Sequence, residues 1–201
     1  MPSPTLPRQP DRTGARLRPR LRWPIVFLAA ALALVGAPAP APEVHPGLEY
    51  SVKAGLLFQF CRYVEWPRTS VPAPDSPLRI GLLAEDPVAP GIQRILAGKL
   101  ADAHPLDVIL LTDPAQVTNC HLCFLSREVK TVAPTVLAYT RNAPVLSVGE
   151  FDGFIERGGL INFQRVDENL QLEGAVDTAD RLGLKISGKL ARTIRRHRPP
   201  P

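Results

Sequence analysis

The stretch "LRIGLLAEDPVAPGIQRILAGKLADAHPLDVILL" (78–111) decides the fold class. Its two ends, 78–84 and 106–111, are short apolar runs typical of buried strands. Between them, "PGIQRILAGKL" (90–100) carries Ile92, Ile95, Leu96 and Leu100 at helical spacing, which predicts a helix with one apolar face. A strand, a helix and a second strand in this order predict a parallel strand pair joined by a crossover helix.

The same alternation continues on both sides of this unit. Upstream, "YSVKAGLLFQFCRYVEWP" (50–67) predicts a helix capped by Ser51 and ended at Trp66 by the following proline. Its predicted apolar face comprises Val52, Leu56, Phe60 and Val64, flanked by Leu57 and Tyr63. Downstream, "CHLCFLS" (120–126) and "PVLSV" (144–148) predict strands, and 127–142 and 150–159 predict helices, the first of them bent or restarted at Pro134.

The last third of the domain predicts a hairpin followed by helical segments. "LINFQRV" (160–166) and "LQLEGAV" (170–176) read as strands joined by a short turn, and 177–196 supplies one or two helical pieces. The chain as a whole therefore predicts a three-layer α/β fold: a mostly parallel sheet with helices on both faces and an antiparallel edge hairpin.

The two ends of the chain carry most of its basic charge. Residues 1–22 hold six arginines and one aspartate, which equals the whole net charge of +5, so the basic balance does not indicate a nucleic-acid-binding domain. The uncharged run 23–36 and the following "APAPAP" are typical of an export signal, and the run is short for a membrane span. We expect a periplasmic protein, with an uncleaved anchor as the alternative to cleavage. The predicted division is signal peptide and linker 1–41, one domain 48–195 and a disordered tail 196–201.

Motifs for catalysis are absent from the sequence. It contains no glycine-rich phosphate loop, no G-x-S-x-G and no H-E-x-x-H, and its four histidines are scattered. We therefore predict no catalytic residue, no metal and no cofactor, and hence no enzyme.

The three cysteines raise a separate question, because Cys120 and Cys123 form a C-x-x-C. On a strand, residues three apart point to opposite faces, so we expect these two not to bond to each other or to share an ion. In an oxidising compartment three cysteines allow one disulfide. Either Cys61 pairs with Cys120 (Cys123 as the alternative), or all three are buried thiols. A redox enzyme using Cys120 and Cys123 is the less favoured reading, since the pair does not begin a helix.

Several segments, taken in order, resemble a known family. "YSVKAGLLFQFCRYVEWP", "LRIGLLAEDP", "CHLCFLS", "PVLSVGEFDGFIERGGLINF" and "RLGLKISGKL" are similar to segments of the YfiR-like periplasmic proteins, over about residues 48–192. The chain departs from the family's Phe-x-Ile-Asn signature on the last strand, where it has Leu172-Glu173-Gly174-Ala175. Cys123 also stands where a plain hydrophobic residue is usual.

This resemblance implies regulation without a substrate. YfiR-like proteins repress a membrane-bound diguanylate cyclase by binding its periplasmic sensor region, and a disulfide is thought to support their active fold. The implied partner is thus an inner-membrane diguanylate cyclase or another membrane sensor, with a homodimer left open. The alternative is a periplasmic small-molecule-binding module that works with a sensor such as a histidine kinase, its ligand lying at the carboxyl ends of the strands near 84–86 and 112–113.

The candidate partner-binding residues lie at the end of the first helix. Trp66 is either a core plug or an exposed anchor, and tryptophan is enriched among interface anchors. Arg62 and Glu65 lie on the less apolar side of that helix and complete the candidate surface.

Overall fold

The computed structural model describes residues 46–71, 73, 75–166 and 169–197. The predicted signal segment 1–41 and residues 198–201 of the predicted tail lie outside this part. The α-helices are α1 (Pro46–Tyr63), α2 (Ala89–Leu96), α3 (Ala133–Thr140), α4 (Val176–Arg181) and α5 (Gly188–Ala191). The strands are β1 (Val64–Glu65), β2 (Leu78–Leu83), β3 (Leu100–Ala101), β4 (His104–Leu111), β5 (Leu122–Leu125), β6 (Leu146–Gly149), β7 (Ile161–Val166), β8 (Asn169–Gly174), β9 (Lys185–Ile186) and β10 (Ile194–Arg196). Two 3₁₀ helices cover Pro114–Asn119 and Arg127–Val129.

A mostly parallel sheet forms the centre of the described part. Its strand order is β10-β8-β7-β6-β5-β2-β4-β3, and only β3–β4 and β7–β8 pair antiparallel within it. The predicted α/β class, parallel sheet and hairpin are confirmed. The hairpin is not at the edge, however, because β10 pairs in parallel with the outer side of β8. The residues of β10 lie in the segment 177–196, which the sequence predicts as helical.

Hydrophobic clusters cover both faces of the sheet. Ile80, Leu82 and Phe124 belong to the cluster shared with α1 and α2, whereas their strand neighbours Leu83 and Leu125 belong to the cluster shared with α3. This division follows from strand geometry, since successive side chains point to opposite faces. Helices on both faces make the three layers that the sequence predicts.

The first helix differs from its predicted form in its ends and its face. It begins at Pro46, so Ser51 does not cap it, and the Ser51 hydroxyl instead donates to the Gly47 carbonyl at 2.7 Å. It ends at Tyr63 because the next two residues pair with β9 as a separate two-stranded sheet. The buried side chains of α1 are Lys53, Ala54, Leu57, Phe60 and Cys61. Of the predicted apolar face, Val52 is exposed and Leu56 is half-buried.

The segment 150–159 forms turns where the sequence predicts a short helix. The ring of Phe154, fully buried, fills the space beside Gly149 and Gly159, where any Cβ would overlap it. Gly158 has a φ of 101°, which is a region that favours glycine. The segment keeps backbone hydrogen bonds of turns, such as that from the Gly159 N–H to the Phe154 carbonyl at 3.0 Å, while the Phe154 ring packs inside them.

The cysteines lie on both sides of the sheet, but not as predicted. Cys120 precedes β5 and ends a 3₁₀ helix, so strand alternation does not apply to it, and it shares the α3-side cluster with Cys123. The prediction that these two point to opposite faces is wrong. Cys61 lies in the α1-side cluster, and all three are free thiols here. The Cys61–Cys120 disulfide is therefore absent from this structure and stays a prediction.

Candidate functional site

The described sheet changes its winding direction between β2 and β5. The chain leaves β2 for α2 on one face and leaves β5 for α3 on the other, which makes a crevice at the carboxyl ends of these strands. Asp86, only 1% exposed, joins the two loops there. Its carboxylate accepts the backbone N–H of Val88 at 3.1 Å and that of Ser126 at 3.4 Å. The N-terminal half of α1 lies over this end of the sheet, because Lys53 reaches Glu150 directly after β6.

Lys53 is the most buried basic side chain of this crevice. Its ammonium lies 2.7 Å from Glu49 of the same helix and 2.9 Å from Glu150, which also accepts the backbone N–H of Arg127 at 3.0 Å. Burial alone would lower the pKa of Lys53, but hydrogen bonds and charge attraction from the two glutamates outweigh it and raise the pKa. Lys53 is therefore a fixed cation that fastens α1 to the carboxyl end of the sheet.

A cavity of about 680 Å³ opens beside this ion-pair triad. Its charged lining includes Arg127, Glu128 and Arg165, and each of these side chains is exposed. Its apolar lining includes Val52 and Leu170, which are 47% and 48% exposed. The site can therefore pair charges at one end and bury apolar surface at the other.

A second cavity, of about 650 Å³, adjoins the first along α1. Both are lined by Leu56 and Leu170, so they form one trough between α1 and β8, here called the α1 groove. Its far end contains Tyr63, whose hydroxyl accepts a hydrogen bond from Lys189 at 3.0 Å. This bond and the ammonium charge lower the pKa of Tyr63. From Glu49 to Tyr63 the groove follows α1 for roughly 21 Å.

The three residues predicted for partner binding lie beyond the Tyr63 end of the groove. Trp66 is half-buried, and its indole N–H donates to the His121 carbonyl at 2.8 Å, so this ring fastens the end of α1 to the start of β5. Arg62 is exposed and pairs with Asp102 at 3.1 Å. Glu65 is exposed within β1. None of the three lines either cavity.

The lysine at the centre of the site is a residue that sequence reasoning missed. A glutamate and a lysine four residues apart on a helix give a local signal for an ion pair. Glu150, the second partner, is 97 residues away from Lys53, so no local sequence pattern predicts this contact. Lys53 and Ala54 both belong to the first segment quoted for the family resemblance, which begins Tyr-x-x-Lys-Ala at residue 50. In the structure Ala54 is fully buried, and Lys53 forms the ion-pair triad.

The described residues include three buried cysteines and the buried His121. They include no group of side chains suited to hold a metal ion. Burial raises the pKa of Cys61 to about 12 and that of Cys120 to about 11, so neither is an activated thiol. Burial likewise lowers the pKa of His121, which accepts the Arg79 N–H on Nδ1. Within the described range, no helix has the length and apolar character to cross a bilayer.

Comparison with known proteins gives one result. A family model described as YfiR/HmsC-like matches residues 50–193, a range that begins within α1, continues past the end of α5 and includes the described sheet except β10. No curated protein matches the chain.

Proposed function

The chain belongs to the YfiR/HmsC-like family, and from this premise we propose that it represses a membrane-bound diguanylate cyclase by binding the periplasmic sensor region of that enzyme. The family is one of periplasmic regulators of diguanylate cyclase. The observation that carries the proposal is the match over 50–193, since it spans the described sheet except β10, both covering layers and most of the α1 groove. In this proposal the protein turns over no substrate and acts by binding the inactive state of its partner more tightly than the active one.

The α1 groove is the surface that we assign to the partner. Val52 and Leu170 are each about half exposed although they are large and apolar, and they face a continuous trough. Apolar residues in contiguous exposed patches mark interaction sites, whereas scattered ones need no explanation. Arg62, beside Tyr63 at the end of the groove, could extend the contact as an anchor at its rim. Trp66 then serves the interface by positioning α1.

The proposal is tested with the partner cyclase in isolated inner membranes. Val52→Glu and Leu170→Glu place a charge in the groove at exposed positions, so we expect them to fold and to lose both capture of the cyclase and repression of cyclic di-GMP synthesis. Tyr139→Glu is the matched control, because Tyr139 is 45% exposed on α3 on the other side of the sheet. If the wild type leaves cyclic di-GMP synthesis unchanged, the proposed function is wrong. If only Tyr139→Glu abolishes capture, the groove assignment is wrong.

One observation favours a second candidate function, a small-molecule-binding module. The cavity beside Lys53 lies at the carboxyl ends of parallel strands, where α/β proteins commonly bind ligands. Its volume is in the range of ligand pockets.

A further inference from the structure

We propose that the cavity beside Lys53 binds an amphiphilic carboxylate, a small molecule with one carboxylate head and an unbranched apolar tail. The head would lie near Arg127 and Arg165, at the end of the α1 groove formed by the strand ends. The tail would lie along Val52, Leu56 and Leu170 toward the second cavity.

The charges of the lining select the head group. Lys53 is already engaged by Glu49 and Glu150, so this triad leaves no cation for a ligand. Within the described residues, the guanidinium groups of Arg127 and Arg165 form no ion pair, although both residues line the cavity. A guanidinium presents a planar fork of donors that matches a carboxylate. A cationic head would be repelled by both guanidinium groups.

Glu128 refines the position of the head. It lines the same cavity, is exposed, and follows Arg127 directly in the sequence. Its carboxylate repels an anion on the Arg127 side, so Arg165 makes the stronger contact. Removing the charge of Glu128 should therefore strengthen binding, a gain that general damage to the fold would not produce.

The shape of the groove selects an unbranched tail. Leu56 and Leu170 line both cavities, so the apolar wall continues from the charged end to Phe60 and Leu172. A tail that runs along this wall covers side chains that are otherwise half exposed, and each buried methylene contributes favourably. Because the same wall is the surface assigned to the partner, the ligand would compete with the cyclase. This consequence rests on the proposed function, whereas the binding itself does not.

The test uses the full chain and octanoate as the probe, measured by titration calorimetry and by thermal shift. We expect saturable one-site binding of octanoate and no comparable binding of octylammonium or 1-octanol, which have the same tail without the anion. Arg165→Gln should weaken octanoate binding at least tenfold and Arg127→Gln less, while Glu128→Gln should tighten it. Arg141→Gln is the matched control, an exposed arginine outside both cavities, and should leave binding unchanged.

Several results would overturn the proposal. Equal binding of all three probes would mean that the tail alone associates with the groove. If Arg141→Gln weakens octanoate binding as much as Arg165→Gln does, binding depends on the net charge of the protein and not on a defined site. If an arginine variant does not fold, Glu128→Gln still decides, because weaker or unchanged binding contradicts the placement of the head. Octanoate binding without any effect of the protein on the cyclase would refute the proposed function and leave this inference standing.

Discussion

Replacing Lys53 with methionine tests whether the ion-pair triad holds α1 on the sheet. The side chains of Lys53 and Glu150 are 10% and 14% exposed, and that of Glu49 is 46% exposed. Removing one partner of a buried ion pair costs about 3–5 kcal/mol, because the remaining charge is left without compensation. Here Glu150 keeps the Arg127 N–H and Glu49 can turn to water, so we expect Lys53→Met to lower the free energy of unfolding by about 2–3 kcal/mol.

A second substitution distinguishes this cause from lost packing. In Lys53→Met/Glu150→Gln the amide oxygen can still accept the Arg127 N–H, and no uncompensated charge remains. Urea unfolding at neutral pH should therefore place the double variant within about 1 kcal/mol of the wild type. The exposed Lys130→Met serves as the control, with a change within about 0.5 kcal/mol. The reasoning is refuted if Lys53→Met costs less than about 1 kcal/mol, or if the double variant is no more stable than the single one.

Three further predictions concern the core. Gly81→Ala should lower the free energy of unfolding in urea by about 1–3 kcal/mol, because its Cβ would lie 2.8 Å from the Cys120 sulfur. Adding Cys120→Ala should restore part of this loss. If the effects of the two substitutions simply add, this prediction is wrong. In the reduced native protein, Cys61 and Cys120 should react slowly with a thiol reagent at pH 8, because burial raises the pKa of both, and fast native labelling would disprove their burial. Burial lowers the pKa of His121 below its ordinary 6.5. The neutral ring therefore contributes its full stabilisation above about pH 6.5. This contribution is lost as the pH falls through the lowered pKa of the folded state. The stability gap between the wild type and His121→Gln should therefore narrow from pH 7 to pH 5, and parallel curves would exclude this role.

The sheet was largely predictable because its signals are local. β2 is apolar except for Arg79, and β4 ends in the apolar run 108–111. Short apolar runs of this kind are a local signal for strands of a parallel sheet. The hairpin of β7 and β8 was predictable from two strand-like runs and a short turn. In contrast, β1, β9 and β10 have two or three residues each and exist only through pairing with distant segments. Strands of two or three residues are too short to show a hydrophobic periodicity, so the local sequence does not predict them.

The site was predictable only in part, because its key contacts are not local. The crevice at the strand ends follows from the fold class, and the sequence placed it near 84–86 and 112–113. The crevice in the structure includes 84–86, which follow β2, and extends to the ends of β5 and β6. Asp113 instead caps a 3₁₀ helix through the Ala115 N–H. The Lys53–Glu150 contact depends on how α1 lies across the sheet, which no spacing within α1 encodes.

The error in the predicted face of α1 concerns the same residues that line the α1 groove, the surface proposed for the partner. The periodicity joined Val52, Leu56, Phe60 and Val64 into one apolar face flanked by Leu57. The structure buries Phe60, Val64 and Leu57 together with Ala54, but leaves Val52 exposed and Leu56 half-buried. Helix α1 is thus apolar on more sides than its own domain covers. A helix with apolar residues around most of its circumference is usually buried around most of it. The side of α1 that the domain leaves open is the wall of the α1 groove, so the residues that mislead the core prediction are those that a partner or an amphiphilic ligand would cover. Places where local rules and the observed core disagree in this way are expected at functional surfaces.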